Sequence, residues 1–328
     1  MSVTLVVFRQ ICVMALLIAI GWVLARRGIL TAQGNAQLST VLTGCVIPAV
    51  IFSAFVTLEA NRENLRLLGM ATALCLASYG FGMAAAALLF RTKGGADAHT
   101  AVSRACTVFT NNGFFGLPVV QALFGEIGVF YASVNVMCSN VLLWTWGSAQ
   151  FHRGQKARLR GLLTQPACVA ALAGLAVFAL RLWPTSAAVL AAPGLQHVLL
   201  PLQSVLEALR ALNTPLAMLV LGVNIFQAHW KLDAGLLRVL PLAGLRQVVL
   251  PLVWLLLTRC LPLPPTLLFS VYIEAACPVA MLVSVMALRY HAPQPEQERA
   301  TRTVVVSTLS ALLTVPLMVA LGSLLLAV

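Results

Sequence analysis

The chain has 328 residues, of which 60% are hydrophobic and 9% are charged, and its formal net charge is +12. A soluble domain carries about a quarter charged residues, so this composition excludes an ordinary soluble protein and indicates a polytopic membrane protein. The basic residues stand in short clusters at the ends of apolar runs, which is typical of membrane topology and argues against nucleic-acid binding.

Ten apolar segments approach the length of about 20 residues that a transmembrane helix needs. The runs are continuous and do not alternate, which favours helices over a barrel. Residues 5–25 resemble a signal peptide, but the run is too long and Arg26-Arg27 follow it, so we interpret it as a retained span. The predicted spans are 4–25, 37–57, 67–90, 104–124, 128–149, 162–182, 204–226, 236–260, 265–288 and 302–326.

The distribution of Lys and Arg predicts the orientation. The loops after the odd-numbered spans hold 14 basic residues, whereas those after spans 2, 6 and 8 hold four and the loop after span 4 holds none. By the positive-inside rule the first set is cytoplasmic, so we expect both termini on the periplasmic side of a bacterial inner membrane.

The two halves of the chain show the same landmarks. We predict a first five-helix repeat at 1–150, a cytoplasmic linker at 151–161 and a second repeat at 162–328. The second and fourth spans of each half carry proline: Pro48 and Pro118 in one, Pro215 and Pro278 in the other. Because five is odd, successive repeats enter the membrane in opposite directions, and matching interrupted spans in inverted halves point to the binding site of a secondary carrier.

The fourth span is interrupted in its middle. Asn111, Asn112 and Gly113 are followed by Gly116 and Pro118, and both Gly and Pro weaken a helix. An unwound segment in a bilayer is tolerated only where protein or a water-filled cavity surrounds it. The two carboxamides can bind a carboxylate, ligate a cation or cap the broken helix ends, because each offers both donors and acceptors.

The ninth span is interrupted at Cys277 and Pro278, one turn after Glu274. A carboxylate inside a transmembrane span costs free energy when it is charged and unpaired. We therefore expect Glu274 to bind a coupling proton, ligate a cation or pair with an arginine. Arg246 in span 8 and Arg210 in span 7 are candidates for that pair or for binding an anionic substrate. Asn213 belongs to a polar kink in span 7. Its amide either lines a cavity shared with the two interrupted spans or only bonds the backbone groups that the kink leaves without partners.

Motifs of other protein classes do not occur. The sequence has no GxxxxGK[ST] loop, no GxSxG elbow, no HExxH pair and no CxxC pair. We therefore predict neither an enzyme nor an ATP-driven pump, and we expect no metal and no cofactor.

Three segments together resemble the auxin efflux carrier family: NNGFFGLP in span 4, ACP in span 9 and ALRYHAPQPEQERATRTVVVSTLSALLTVP at the end. The resemblance covers nearly the whole chain, and bacterial members of the family include malonate and other small organic-acid carriers. It implies a scaffold part, a mobile transport part, and spans 4 and 9 crossing at their prolines. Glu274 departs from the neutral residue expected beside the second proline. By position, the substrate carboxylate site falls on Asn111, Asn112, Gly113, Pro118, Cys277 and Pro278.

We therefore expect a secondary active transporter that moves a small, malonate-like organic anion by alternating access. In this reading Asn111, Asn112 and the half-helix ends hold the carboxylate, Arg246 adds a positive charge, and Glu274 takes a coupling proton, with Na⁺ as the other candidate coupling ion. The alternative is a cation carrier or channel that uses Glu274 and the Asn pair as ligands. The expected partners are the lipid bilayer and the substrate, and a homodimer is compatible with this architecture.

Overall fold

The computed structural model describes residues 3–91, 97–151, 164–184, 192–228 and 234–326. In these residues the regular structure is helical, with one isolated bridge pair and no strand. The prediction of an all-helical membrane protein is confirmed, whereas the predicted linker lies outside the described residues except for Phe151. Two shorter apolar helices, Pro166–Arg181 and Pro265–Ala276, accompany seven helical stretches in the described residues that are long and apolar enough to cross a membrane. The seven are Leu5–Arg26, Ala32–Thr57, Arg62–Leu89, Asn112–Phe151, Leu200–Gln227, Gly235–Thr258 and Gln294–Leu326.

The α-helices in the described residues are α1 (Val3–Arg26), α2 (Ala32–Val41), α3 (Ile47–Thr57), α4 (Arg62–Leu89), α5 (Ala98–Val108), α6 (Leu117–Leu142), α7 (Ser148–Phe151), α8 (Pro166–Arg181), α9 (Pro193–Ala211), α10 (Asn213–Gln227), α11 (Ala234–Gly244), α12 (Leu250–Thr258), α13 (Pro265–Ala276), α14 (Met281–Arg289) and α15 (Gln294–Leu326). Within α6 the backbone is not helical at Gly125 (φ 58°, ψ −136°), so α6 consists of two helices that meet at this kink. Wider π-helical turns join several of them: Leu42–Val46, Asn112–Gly116, Leu143–Gly147 and Leu245–Val249.

Three of these π-helical turns are followed directly by a helix with proline at its second position, namely Pro48, Pro118 and Pro251. Proline lacks a backbone donor, and its ring clashes with the carbonyl four residues earlier. A widened turn before the proline relieves that clash without ending the helix. Pro48 is therefore accommodated in a continuous helical stretch, and the second predicted span is not interrupted as the fourth is.

The fourth and ninth predicted spans are interrupted by extended backbone. The first interruption covers residues 109–111 after α5, and the second covers residues 277–280 between α13 and α14. After the first, the chain becomes helical again at Asn112, because a π-helical turn leads directly into the helix that begins just before Pro118. Asn112 and Gly113 thus belong to the start of the resumed helix, and of these three residues only Asn111 lies in the interruption.

The two interruptions meet and bond to each other. Asn111 N donates to Pro278 O at 2.8 Å, and Ala280 N donates to Phe109 O at 3.0 Å. These bonds flank an antiparallel bridge between Thr110 and Val279. Backbone groups that leave a helix inside a membrane protein need other partners, and here each break supplies partners for the other.

Glycines set the distance between α1 and α10. A Cβ added to Gly222 would lie 2.8 Å from Trp22 N and closer still to Ile18 O, both of which are backbone atoms of α1. Gly21 makes the reciprocal approach to Leu219 of α10. Small residues permit such close helix packing in membrane proteins.

We expect Gly222→Ala to destabilise the protein by about 1–3 kcal/mol, because the added methyl group forces two helix backbones apart. A thermal unfolding curve in detergent should show a melting temperature lower by several degrees. Gly80→Ala is the matched control, since a Cβ at Gly80 meets nothing within 4 Å. Equal melting temperatures for the two variants would show that α1 and α10 are not held at this distance.

Candidate functional site

A buried hydrogen-bonded cluster lies beside the meeting point of the two interruptions. Asn112 Nδ2 donates to Tyr79 OH at 3.1 Å and lies 3.4 Å from Asn135 Oδ1. Tyr79 OH donates to Asn135 Oδ1 at 2.8 Å, and Asn135 Nδ2 donates to Glu274 Oε2. Side chains from α4, α6, α13 and the resumed fourth helix thus form one polar cluster.

Glu274 is 0% exposed and occupies the inner end of this cluster. Its Oε1 has no hydrogen-bond partner, and in the described residues no basic side chain lies within ion-pair distance of it. A buried carboxylate without a counter-charge costs several kcal/mol, so this environment favours the neutral acid. Of the predicted roles, pairing with an arginine is therefore not the one seen in this structure.

Gly116 allows the two interruptions to approach closely. A Cβ at this position would lie 3.1 Å from Cys277 Sγ and 3.4 Å from Glu274 Cγ. Cys277 is buried, and its thiol donates to Ile273 O at 3.3 Å. The absence of a side chain at Gly116 is thus what lets the resumed fourth helix rest against the second break.

Arg246 is 5% exposed near the middle of the helical stretch Gly235–Thr258. Its Nη1 donates to Ala275 O at 2.6 Å, while its Nε is buried without a partner. In the described residues no carboxylate lies within ion-pair distance of this guanidinium. The other candidate cation, Arg210, instead pairs with Glu126 at 2.8 Å.

A small cavity of about 30 Å³ joins Arg246 to the polar cluster. A cavity of this size can hold about one or two water molecules. The polar groups that line it come from α4, α5, the first interruption, α6 and the helical stretch around Arg246. They are Ser78, Tyr79, Thr107, Thr110, Asn135 and Arg246.

The remaining predicted site residues lie at the two breaks or nearby. Pro118 is buried in the first turn of α6, and Pro278 O accepts the bond from Asn111 N. The side-chain amide nitrogen of Asn111 has no partner. Asn213 is buried at the start of α10 with neither amide atom bonded, and it does not line the small cavity.

Several buried polar atoms in this region therefore lack partners within the protein. Native proteins leave few such groups unpaired, and those that remain point to water, an ion or a ligand. The arrangement offers donors from amides and a guanidinium, together with a carboxyl group suited to carrying a proton. The unpaired atoms are Asn111 Nδ2, Asn213 Nδ2 and Oδ1, Arg246 Nε and Glu274 Oε1.

Sequence reasoning missed Tyr79, Thr110 and Ser307. Tyr79 links Asn112 to Asn135, and Ser307 Oγ accepts a hydrogen bond from Val279 N at 3.1 Å. A signal was present for Tyr79, because it lies in the interior of an apolar span rather than at its interfacial end. No comparable signal distinguishes Ser307 among the many hydroxyl residues of α15.

In the part of the chain that the structure describes, no three His, Cys, Asp or Glu side chains are grouped to bind a metal ion.

The fold and the site together define a multi-pass helical membrane protein with a buried polar site between two interrupted helices. The family model described as membrane transport protein matches residues 6–160 and 148–319. The chain therefore belongs to this family, the auxin efflux carrier family that the sequence motifs resemble.

A relative from Methanothermobacter thermautotrophicus (strain Delta H), described as an uncharacterized transporter, is 25% identical over 313 residues. The alignment covers 92% of this chain and 93% of the relative. The similarity thus extends over both interruptions and supports membership of a transporter family.

Proposed function

We propose that the protein is a secondary active transporter that moves a small organic anion, of the size of malonate, together with a proton. In this proposal ten spans form two inverted five-helix repeats, and spans 4 and 9 are crossover helices. Alternating access exposes the point where they meet to one side of a bacterial inner membrane and then to the other. Both termini are periplasmic, as the distribution of basic residues indicates.

The observation that carries this proposal is the charge balance of the site. Arg246 is a buried cation that has no acidic partner in the described residues, and it lines the same cavity as the polar cluster. An uncompensated buried charge is costly, and a bound carboxylate would compensate it through charge-assisted hydrogen bonds. Donors from Asn111, Asn112 and Asn213 would orient the rest of the anion.

Glu274 would make this binding depend on a proton. With Glu274 neutral, Arg246 leaves the site with a charge of +1, whereas ionised Glu274 would cancel that charge. An anion therefore binds best when Glu274 is protonated, and by linkage the bound anion favours the protonated acid in return. Couplings of this kind are typically about 1–3 kcal/mol, or roughly 5–150-fold in affinity.

The alternative, a cation carrier, is supported by the unpaired oxygens Glu274 Oε1 and Asn213 Oδ1. Oxygen ligands suit hard cations such as Na⁺. The guanidinium of Arg246 opposes this function, because it brings a positive charge to the cavity beside the cluster.

Uptake into proteoliposomes tests the two functions against each other. We expect labelled malonate or another small carboxylate to accumulate when an inward proton gradient is applied, and the uptake to persist when Na⁺ is replaced by K⁺. The same carboxylates should raise the melting temperature in detergent, more at acid than at neutral pH. Stabilisation by Na⁺ with no effect of any carboxylate would overturn the anion function and favour the cation carrier.

A further inference from the structure

A second and larger cavity, of about 600 Å³, has Arg238, Arg299 and Arg302 in its lining. It lies between α5, α11 and the start of α15. Residues that line it include His99, Ser103, Leu245, Glu296, Arg299 and Arg302.

Neighbouring residues of the same two helical stretches line the large cavity and the small cavity. On α5, Ser103 lines the large cavity and Thr107 lines the small one. On the π-helical turn before α12, Leu245 lines the large cavity and Arg246 the small one. About one helical turn of α5 lies between Ser103 and Thr107.

Buried hydroxyl groups mark this turn. Ser103 Oγ donates to His99 O and accepts from Arg299 Nη2 at 3.0 Å, and Thr107 Oγ1 donates to Ser103 O at 2.8 Å. Ser103 and Thr107 are both buried between apolar neighbours. Both hydroxyl hydrogens point at backbone carbonyls of α5 in this conformation. A hydroxyl group is both a donor and an acceptor, so each can hand protons to and from water once it rotates away from its carbonyl.

We propose that the strip of α5 between the two cavities is the path by which the coupling proton reaches Glu274 from the basic side of the protein. The inference rests on the proposed proton-coupled function. A proton passes from water in the large cavity along Ser103 and Thr107 to water in the small cavity, and then to the carboxylate of Glu274. The donating hydronium is left as water, and Glu274 later releases the same proton to water on the opposite side.

Asn135 controls the last step of this path. Its side chain lines the small cavity and also donates to Glu274 Oε2, so it stands between the cavity water and the carboxyl group. Rotation of the Asn135 amide away from Glu274 would let the cavity water reach the carboxyl group. The small cavity has room for only one or two waters in this conformation, which is enough to pass a proton, whereas a carboxylate needs the cavity to widen during transport.

Charged groups of both signs surround the mouth of the path. Glu296 contacts His99 at 3.1 Å and Arg299 at 2.7 Å. Hydrogen bonds from Thr100 hold the pKa of Asp97, two residues from His99, below its ordinary value. These groups can bind protons themselves, so an experiment must distinguish their protonation from proton transfer to Glu274. A signal that comes from the Glu274 carboxyl group alone makes this distinction. The charged and titratable groups at the mouth are Asp97, His99, Arg238, Glu296, Glu298, Arg299 and Arg302.

Infrared spectroscopy of the reconstituted protein supplies that readout. A neutral Glu274 gives a carboxyl stretching band that the Glu274→Gln variant lacks, and the band shifts when its proton exchanges for deuterium. We expect Thr107→Val and Ser103→Ala to slow this exchange by at least about tenfold, which corresponds to 1.4 kcal/mol of added barrier. Asn135→Ala should accelerate it, because the amide that shields the carboxyl is gone.

Thr72→Val is the matched control, since Thr72 also donates to a carbonyl four residues earlier but lines neither cavity. Thr107→Ser should restore the wild-type rate. Unchanged exchange in both hydroxyl variants, with the carboxyl band present, would overturn the path and leave proton coupling intact. Absence of the band from the wild-type protein would instead overturn the neutral Glu274 on which the proposed function depends.

Discussion

Glu274→Gln is expected to make carboxylate uptake independent of pH and to abolish accumulation driven by a proton gradient. Glutamine has the shape of the neutral acid and still accepts the hydrogen bond from Asn135, so the fold and the positive charge of the site are retained. Binding at acid pH should then resemble that of the wild-type protein, and binding at neutral pH should be tighter than in the wild-type protein. Exchange of labelled for unlabelled substrate across the membrane should persist.

Proteoliposomes offer both measurements on one preparation: gradient-driven uptake over a range of pH, and exchange without a gradient. Glu207→Gln is the control, because Glu207 is an exposed acid on α9 with no contact to the site. A Glu274→Gln protein that still accumulates carboxylate in response to a proton gradient would exclude Glu274 as the coupling group.

The location of the site could be predicted from the sequence because interruption is a local property. Asn, Gly and Pro in the middle of an apolar run disfavour a helix whatever surrounds them. Both breaks were therefore visible, and their backbone bonds to each other are a consequence of two segments that each lack partners. The place where the helix resumes was not predictable, because the π-helical turn at Asn112 depends on how Pro118 is accommodated within the packed structure.

The hydrogen-bond partners of the charged side chains were harder to predict from the sequence than the two breaks. Spacing along the chain shows that Asn135 lies on a polar face of its helix but not which groups on other helices meet that face. Tyr79 and Glu274 reach it from α4 and α13, which are far apart in the sequence. The same limit explains why Arg246 and Glu274 were candidates for an ion pair, although the structure gives each of them different neighbours.

The bonds between the two breaks also bear on how the site moves. Asn111 N and Ala280 N each donate a hydrogen bond across the junction, and Val279 N donates one to Ser307 Oγ of α15. A junction bonded in this way is stabilised as one unit, because separating the breaks would leave several buried backbone groups without partners. In the alternating access that we propose, the junction would therefore move as one unit while other helix contacts change around it.

Arg246→Met is expected to weaken carboxylate binding by about 2 kcal/mol or more, roughly 30-fold, because it removes the charge that the bound anion would neutralise. Arg246→Lys should lose less, since it keeps the charge but not the planar fork of donors. The unliganded Arg246→Met protein should nevertheless be as stable as the wild-type protein or more stable. Removing an uncompensated buried charge offsets the lost hydrogen bond to Ala275 O.

This combination of weaker binding and undiminished stability separates a ligand-binding arginine from a structural one. Calorimetric titration with malonate and thermal unfolding without ligand measure the two quantities independently. Arg210→Met is the control, because Arg210 already has an acidic partner in Glu126, whose side chain is 62% exposed, and its loss should leave carboxylate affinity unchanged. If Arg246→Met bound carboxylates as tightly as the wild-type protein, the buried guanidinium would serve the fold, and the anion would have to be held by the amides and helix ends alone.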